Sequence, residues 1–351
     1  MVRLTRVDCS APGLTRRRRG RGFEYLDTRT GERIADTDVL DRIRALAIPP
    51  AYTDVWISPH PRGHLQATGT DAAGRRQYRY HPDWRKRKDA EKFDEMLDFA
   101  RALPDLRETC TEALQGTDRL TRERVLAAAI RLLDHGFFRI GTEEYTEQHD
   151  TFGLATMRKD HVTIDGATVV FDYLAKGSKR RIVSLVDADV VAVVTALKRR
   201  RSGGDELLAY KEGGRWRDVR SPDINAFLKE QTGGDHSAKD FRTWSATLLA
   251  AVALGVSGEV ADTQTGRKRA IARAVKEVSH YLGNTPAVCR ASYIDPRVID
   301  AYQGGVIVGP EAIVAEDRPD ALPIHQKAVE AAVLRLLDGH ETGSGLERVA
   351  A

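Results

Sequence analysis

The chain has 351 residues, 41% of them hydrophobic and 30% charged, with 55 Lys and Arg against 51 Asp and Glu. A chain of this kind holds about two domains with a real core, which excludes wholesale disorder. Its three cysteines, Cys9, Cys110 and Cys289, are too few and too scattered for a disulfide framework or a paired-cysteine zinc knuckle, and its longest apolar run, residues 248–256, is far short of the roughly 18 needed to span a bilayer.

The net charge of +4 is unevenly spread. Residues 1–92 hold 20 Lys and Arg against 12 Asp and Glu, whereas the remainder holds 35 against 39. A basic front on a nearly neutral body points to a polyanion partner, most simply nucleic acid. The basic N-terminus lacks the apolar stretch of a secretory signal, so a soluble intracellular protein is expected.

Residues 1–21 carry Arg16, Arg17, Arg18, Arg19 and Arg21 among Gly, Ser and Pro, and read as a mobile basic arm. Short strands are expected at residues 23–26, 55–58, 64–67 and 77–80. Residues 38–46 read as a helix with Val39, Leu40, Ile43 and Leu46 on one face, ended by Pro49 and Pro50. A basic run, Arg85 to Lys88, then leads a helical connector that Pro104 punctuates, and a domain boundary is expected within residues 83–103. Beyond it helix dominates, beginning with the apolar face of residues 121–138.

Strands interrupt at 162–164, 168–174 and 180–185, separated by Asp165-Gly166, a hairpin signal, and by Gly177-Ser178. Helices resume at 188–198, 222–230, 241–254, 268–282 and 325–337. A mobile loop over DNA is one reading of the basic stretch 263–273, and the last dozen residues read as a frayed tail. The expected fold class is α+β: a small β-rich N-terminal domain over residues 22–92, then a mainly α-helical domain with a small β-sheet over residues 93–338, with residues 339–351 as the tail.

Several chemistries have no support. There is no G-x-x-x-x-G-K-[ST] loop for nucleoside triphosphates and no H-E-x-x-H. Asp187 and Asp189 have a spacing that suits a cation, but at a helix start they read as cap and dipole partners. A nucleic-acid enzyme built on this chain would work with no cofactor and no metal.

Metal-free phosphodiester cleavage needs a nucleophile for phosphorus, fixed cations for the non-bridging oxygens and an acid for the leaving oxygen. Tyrosine or serine suits the first task, arginine the second, and lysine or histidine the third. Four places carry these types: Arg139-Ile140-Gly141 at the end of a helix, Lys176 at a turn after a strand, Arg242 near a helix start, and Asn284 nine residues before Tyr293. Singly, each has an ordinary structural explanation, such as a helix-dipole partner or a core tyrosine.

Together, they resemble the type IB DNA topoisomerases, in the compact poxvirus-like form found in bacteria. The matching pieces are Arg139-Ile140-Gly141 with Tyr145, Leu174-Ala175-Lys176-Gly177, Lys239-Asp240-Phe241-Arg242-Thr243, and the run from Gly283-Asn284-Thr285-Pro286 to Tyr293. The front domain matches in Gly74-Arg75-Arg76-Gln77-Tyr78-Arg79-Tyr80, and the resemblance covers roughly residues 20–305.

The resemblance implies that Tyr293 attacks the scissile phosphate and forms a 3′-phosphotyrosine, that Arg139 and Arg242 stabilise the phosphorane, and that Lys176 protonates the 5′-oxygen. The bond energy kept in the phosphotyrosine explains the missing ATP motif. Poxvirus enzymes carry histidine where this chain has Asn284. An amide can donate a hydrogen bond there but cannot shuttle a proton. The resemblance also implies DNA contacts from Gln77, Tyr78, Tyr80, Tyr145 and Lys239. Strand alternation puts Tyr78 and Tyr80 on one face, with Gln77 and Arg79 on the other.

The implied partner is duplex DNA, held by a monomer that clamps it between two domains in the cytoplasm at the nucleoid, with no membrane. The alternatives are a tyrosine recombinase and an inactive DNA-binding protein of the same fold. Recombinases usually place histidine where this chain has Lys239, and they tend to lack the β-rich front.

Overall fold

Alternation along five short strands builds the front of the chain. In the computed structural model, which describes residues 3–257, 263–314, 327–340 and 342–348 (the side chains of Tyr145 and Val314 excepted), the chain divides into two compact units, Met1–Lys92 and Phe93–Ala351. The first holds β1 (Leu14–Arg19), β2 (Gly22–Asp27), α1 (Thr37–Ala45), β3 (Thr53–Ile57), β4 (Leu65–Thr70) and β5 (Arg76–Tyr80). The strands form one antiparallel sheet in the order β2-β1-β3-β4-β5. Leu14, Val55, Ile57 and Ala67 pack with Ile43 of α1 into a small core. Asp36 caps α1 by accepting from the Asp38 and Val39 amides at 2.9 and 3.2 Å.

The basic run expected as a mobile arm is corrected here: residues 14–19 are β1, an interior strand of that sheet. Leu14 anchors it in the core. Arg16 donates to the carbonyls of Ile48, Pro49 and Tyr52 at 3.1, 2.6 and 2.7 Å and lies over the Phe23 ring. Arg16 to Arg19 pair with β2 on one side, and Leu14 and Thr15 pair with β3 on the other, so the ladder with β2 and the Arg16 contacts offset the poor burial of consecutive arginines.

Helix α2 (Pro82–Gln115) runs without interruption through Pro104, contrary to the expectation that the proline punctuates it. The lost backbone donor is outweighed by an apolar stripe, Phe99, Leu103, Leu106, Cys110 and Leu114, buried in the second core. There follow α3 (Arg122–Gly136), α4 (Glu143–His149), β6 (Val162–Asp165), β7 (Thr168–Ala175), β8 (Lys179–Val186) and α5 (Ala188–Arg199). Next come β9 (Ala209–Glu212), β10 (Arg215–Asp218), α6 (Ser221–Thr232), α7 (Ala238–Val256), α8 (Gln264–Leu282) and α9 (Pro286–Ser292). The described chain closes with α10 (Pro296–Gln303), β11 (Val306–Val308), α11 (Pro310–Val314), α12 (Lys327–Leu337) and β12 (Leu346–Arg348).

The architecture is α+β, with a helical second unit carrying the antiparallel sheet β6-β7-β8, the hairpin β9-β10 and the two-stranded sheet β11-β12. Helix α7 is buried on nearly all sides, through Phe241, Trp244, Leu248 and Leu254 among others, and is the axis of the unit. Asp187 accepts from the Val190 amide and caps α5, the role its position suggested. Two expectations are corrected. Helix α8, capped by Thr263, begins four residues before the expected residue 268, which removes the reading of that stretch as a loop. Leu346–Arg348 pairs with β11 and buries Leu346, so that stretch of the tail is ordered.

One ion cluster ties α2, α3 and α12 together. Arg107 makes two bonds to Asp134, at 2.8 and 3.1 Å, and two to Glu330, both at 2.8 Å. Both carboxylates are buried. Arg107→Ala is expected to cost about 3–5 kcal/mol, because it removes the arginine that two buried carboxylates share. An unchanged denaturant midpoint would rule out that cost.

Candidate active site

Four of the five candidate catalytic side chains, those of Arg139, Lys176, Arg242 and Tyr293, line one cleft of about 260 Å³, together with Lys239. A second cleft adjoins it, shares Arg139 and Lys176, and adds Asn284, Arg181 and Lys276.

Each side chain reaches the cleft for a local reason. Helix α3 ends at Phe137, a left-handed residue with φ +54°, and the chain turns out to present Arg139. The turn is fixed from behind. Leu154 and Ala155 donate to the carbonyls of Arg139 and Ile140 at 2.8 and 2.7 Å. Gly141 (φ +79°) lies so close to Gly153 that a Cβ on Gly153 would sit 2.5 Å from the Gly141 Cα. The glycine of Arg139-Ile140-Gly141 therefore serves backbone approach.

Lys176 stands at the tip of the β7–β8 hairpin, where Ala175 pairs with Lys179 and Gly177 and Ser178 take positive φ. Arg242 lies one turn into α7 and is buried. It donates to the carbonyls of Phe137 and Leu282 at 2.6 and 2.8 Å. Its guanidinium carbon is 5.4 Å from the centroid of the Tyr293 ring.

Tyr293 closes α9, its amide donating to the Cys289 carbonyl at 3.0 Å. The Thr247 hydroxyl holds the Tyr293 carbonyl at 3.3 Å and accepts from the Asp295 amide at 3.2 Å, which ties the tyrosine's backbone to α7. Asn284 follows the α8 terminus. Its Oδ1 accepts from Arg139 Nη2, which fixes the amide's orientation and leaves Nδ2 as the remaining donor.

The electrostatics ease ionisation of the Tyr293 phenol. Burial pushes the Tyr293 phenol up, but the charges of Arg242 and Arg139 outweigh it, helped by Arg242 and Asn284 close to the hydroxyl, and the pKa falls below 10. Burial, and then repulsion from Arg139, pull Arg242 down to about 10, so it stays charged at neutral pH. The Arg242 Nε and Asn284 Nδ2 donors are buried with no acceptor among the described residues. An unmet buried donor costs about 1–3 kcal/mol, so the site carries two donors suited to incoming oxygen atoms.

The other candidates divide. Lys239 lines the main cleft one turn before Arg242. Tyr145 is in α4, and its side chain lies outside the described residues. In the first unit, Tyr78 and Tyr80 are exposed on one face of β5 with rings stacked 6.2 Å apart. Gln77 is on the opposite face and donates to Asp71 at 2.9 Å.

One residue at the site escaped the sequence reading. Arg181 donates to the Tyr281 carbonyl at 2.8 Å and lines the second cleft. The signal was present: Arg181, Val183 and Leu185 alternate on the inward face of β8, an unusual place for arginine. Among the described residues no group of three or more His, Cys, Asp or Glu side chains could hold a metal ion, and no helix is long and apolar enough to cross a membrane.

Residues 81–304 match the family described as the catalytic core of eukaryotic DNA topoisomerase I, and residues 22–71 match that described as the N-terminal domain of bacterial DNA topoisomerase IB. The chain belongs to the type IB DNA topoisomerases, with a front domain of the bacterial kind. It is 29% identical to DNA topoisomerase 1B of Acanthamoeba polyphaga mimivirus over 318 residues, which are 88% of this chain and 92% of that protein. DNA topoisomerase 1 of Schizosaccharomyces pombe is 31% identical over 165 residues, 46% of this chain but only 19% of the yeast protein. DNA topoisomerase 1 of Daucus carota is 28% identical over 130 residues, 36% of this chain and 15% of the plant protein.

Proposed function

We propose that this chain relaxes positive and negative supercoils in duplex DNA by cutting and resealing one strand through Tyr293, without ATP or metal. The observation that carries the reading is the meeting of Tyr293, Arg139, Arg242 and Lys176 at one cleft, with Asn284 held by Arg139. The Tyr293 oxygen attacks phosphorus, the new bond is a 3′-phosphotyrosine, and the bond to the 5′-oxygen breaks. Lys176 gives the leaving oxygen its proton, and the tyrosine proton passes to solvent. Arg139, Arg242 and the Asn284 amide hold the non-bridging oxygens, where charge accumulates. The free end swivels about the intact strand, and the 5′-hydroxyl then reverses the first step.

Gln77, Tyr78, Tyr80 and Lys239 contact DNA in this reading, as does Tyr145, and the two units grip the same duplex as a monomer clamp. The protein acts at the nucleoid.

The test is relaxation of positively and negatively supercoiled plasmid in EDTA without ATP. Relaxation of both signs is expected. Binding without relaxation would defeat the reading.

The acid has its own test. Lys176→Ala is expected to slow cleavage by ~10²–10⁴. A substrate with a bridging 5′-thiolate, whose leaving group needs no proton, is expected to restore most of the rate. An equal defect on both substrates would remove Lys176 from the role of acid.

A further inference from the structure

The C-terminal end of α8 raises an accounting question, because a helix end leaves carbonyls without intrahelical donors. Two are met by the turn itself. Gly283, at φ +62°, lets its own amide reach the His280 carbonyl at 3.2 Å and the Asn284 amide reach the Ser279 carbonyl at 3.1 Å. The next three carbonyls, of Tyr281, Leu282 and Gly283, are each met by a different arginine. Arg181 from β8 takes the first at 2.8 Å, Arg242 from α7 the second at 2.8 Å, and Arg139 the third at 3.4 Å. Three guanidiniums that would otherwise repel one another thus share the negative end of one helix.

Two of these arginines are assigned to the phosphate above. The third is not. We infer that Arg181 is a positioning residue for Asn284: it holds the helix end beside Arg139 and Arg242, and so fixes the turn that sets the Asn284 amide beside Tyr293. Arg181 is packed directly onto that turn. A Cβ on Gly283 would lie 2.7 Å from Arg181 Nη1. The clamp matters because Arg139 and Arg242 must share their donors with an arriving phosphate, whereas Arg181 keeps its bond to Tyr281 throughout. Burial, with repulsion from Arg139 added, makes the guanidinium less stable in its charged form despite Tyr173 beside it. An arginine kept at such a place for packing alone would be better replaced by an apolar side chain.

This inference rests on Tyr293 being the nucleophile, and a double-mutant cycle separates the two claims. Covalent adduct formation on a suicide DNA substrate is measured for the wild-type chain, Arg181→Ala, Asn284→Ala and the double variant. Arg181→Ala is expected to slow adduct formation roughly tenfold in the wild-type background and less than about twofold when Asn284 is already alanine. Arg181→Met keeps the packing over Gly283 and loses the donors. It is expected to share the defect, and it carries the cycle if the alanine variant melts early.

Salt dependence of non-covalent binding is measured alongside in the Tyr293→Phe background, where the slope is expected to be unchanged by Arg181→Ala. A slope reduced by about one would make Arg181 a phosphate contact and overturn the inference. An equal defect in both Asn284 backgrounds, or a Met variant as fast as wild type, would overturn it as well. A wild-type chain that forms no adduct would instead defeat the function proposed above, and this inference with it.

Discussion

Replacing Tyr293 with phenylalanine is expected to abolish both the covalent DNA adduct and plasmid relaxation while sparing non-covalent binding. The hydroxyl is the only atom removed. The ring keeps its place beside Arg242, and the backbone keeps its ties to Cys289 and Thr247. The change therefore tests chemistry with little disturbance to packing. The pH profile of the wild type is a companion measurement. Because Arg242 and Arg139 together outweigh burial and lower the phenol's pKa, the rising limb of the cleavage rate is expected below pH 10. Arg139→Ala removes one of those charges and is expected to move the limb upward. Residual adduct in Tyr293→Phe would mean that another residue is the nucleophile.

Arg242→Ala is expected to be the next most damaging change, slowing cleavage by ~10²–10³ or more, as removal of a charge-stabilising donor does elsewhere. Its effect on stability is expected to be smaller, because two contributions oppose each other. Losing Arg242 takes its donors from the Phe137 and Leu282 carbonyls, at about 0.5–1.5 kcal/mol each. It also releases a charge that burial penalises and that Arg139 repels. Arg242→Lys is not expected to restore the rate, since one ammonium cannot span two carbonyls and a phosphate oxygen at once. Single-turnover cleavage and thermal melting, measured on the same variants, separate the two effects. A large fall in melting temperature with unchanged cleavage would assign Arg242 a purely structural role.

Much of the fold was legible along the chain. The period-2 alternation and the Asp165-Gly166 turn mark β6 and β7, where Asp165 pairs with Thr168. The apolar face of residues 121–138 corresponds to α3, Arg122–Gly136. Short elements with weak patterns were not legible. Helices α4, α9 and α10 and the β9–β10 pair had too few residues for periodicity to stand out. The arginine run of β1 carries the composition of a mobile arm, and its charges hide a strand held by its ladder with β2 and by the pairing of Leu14 and Thr15 with β3.

The residue types for phosphoryl chemistry, their order along the chain, and the helices and strands that carry most of them are written in the primary structure. Each of those is a local property, set by side-chain chemistry and by patterns a few residues to two turns long. Only the tertiary structure decided that Arg139, Arg181 and Arg242 converge on three successive carbonyls at the end of α8. Arg139 and Gly283 are 144 residues apart, and no periodicity reports a contact at that range. The reason is electrostatic. Like charges gather only where a folded backbone supplies the opposing dipole, and that dipole exists only once the helix has formed and docked.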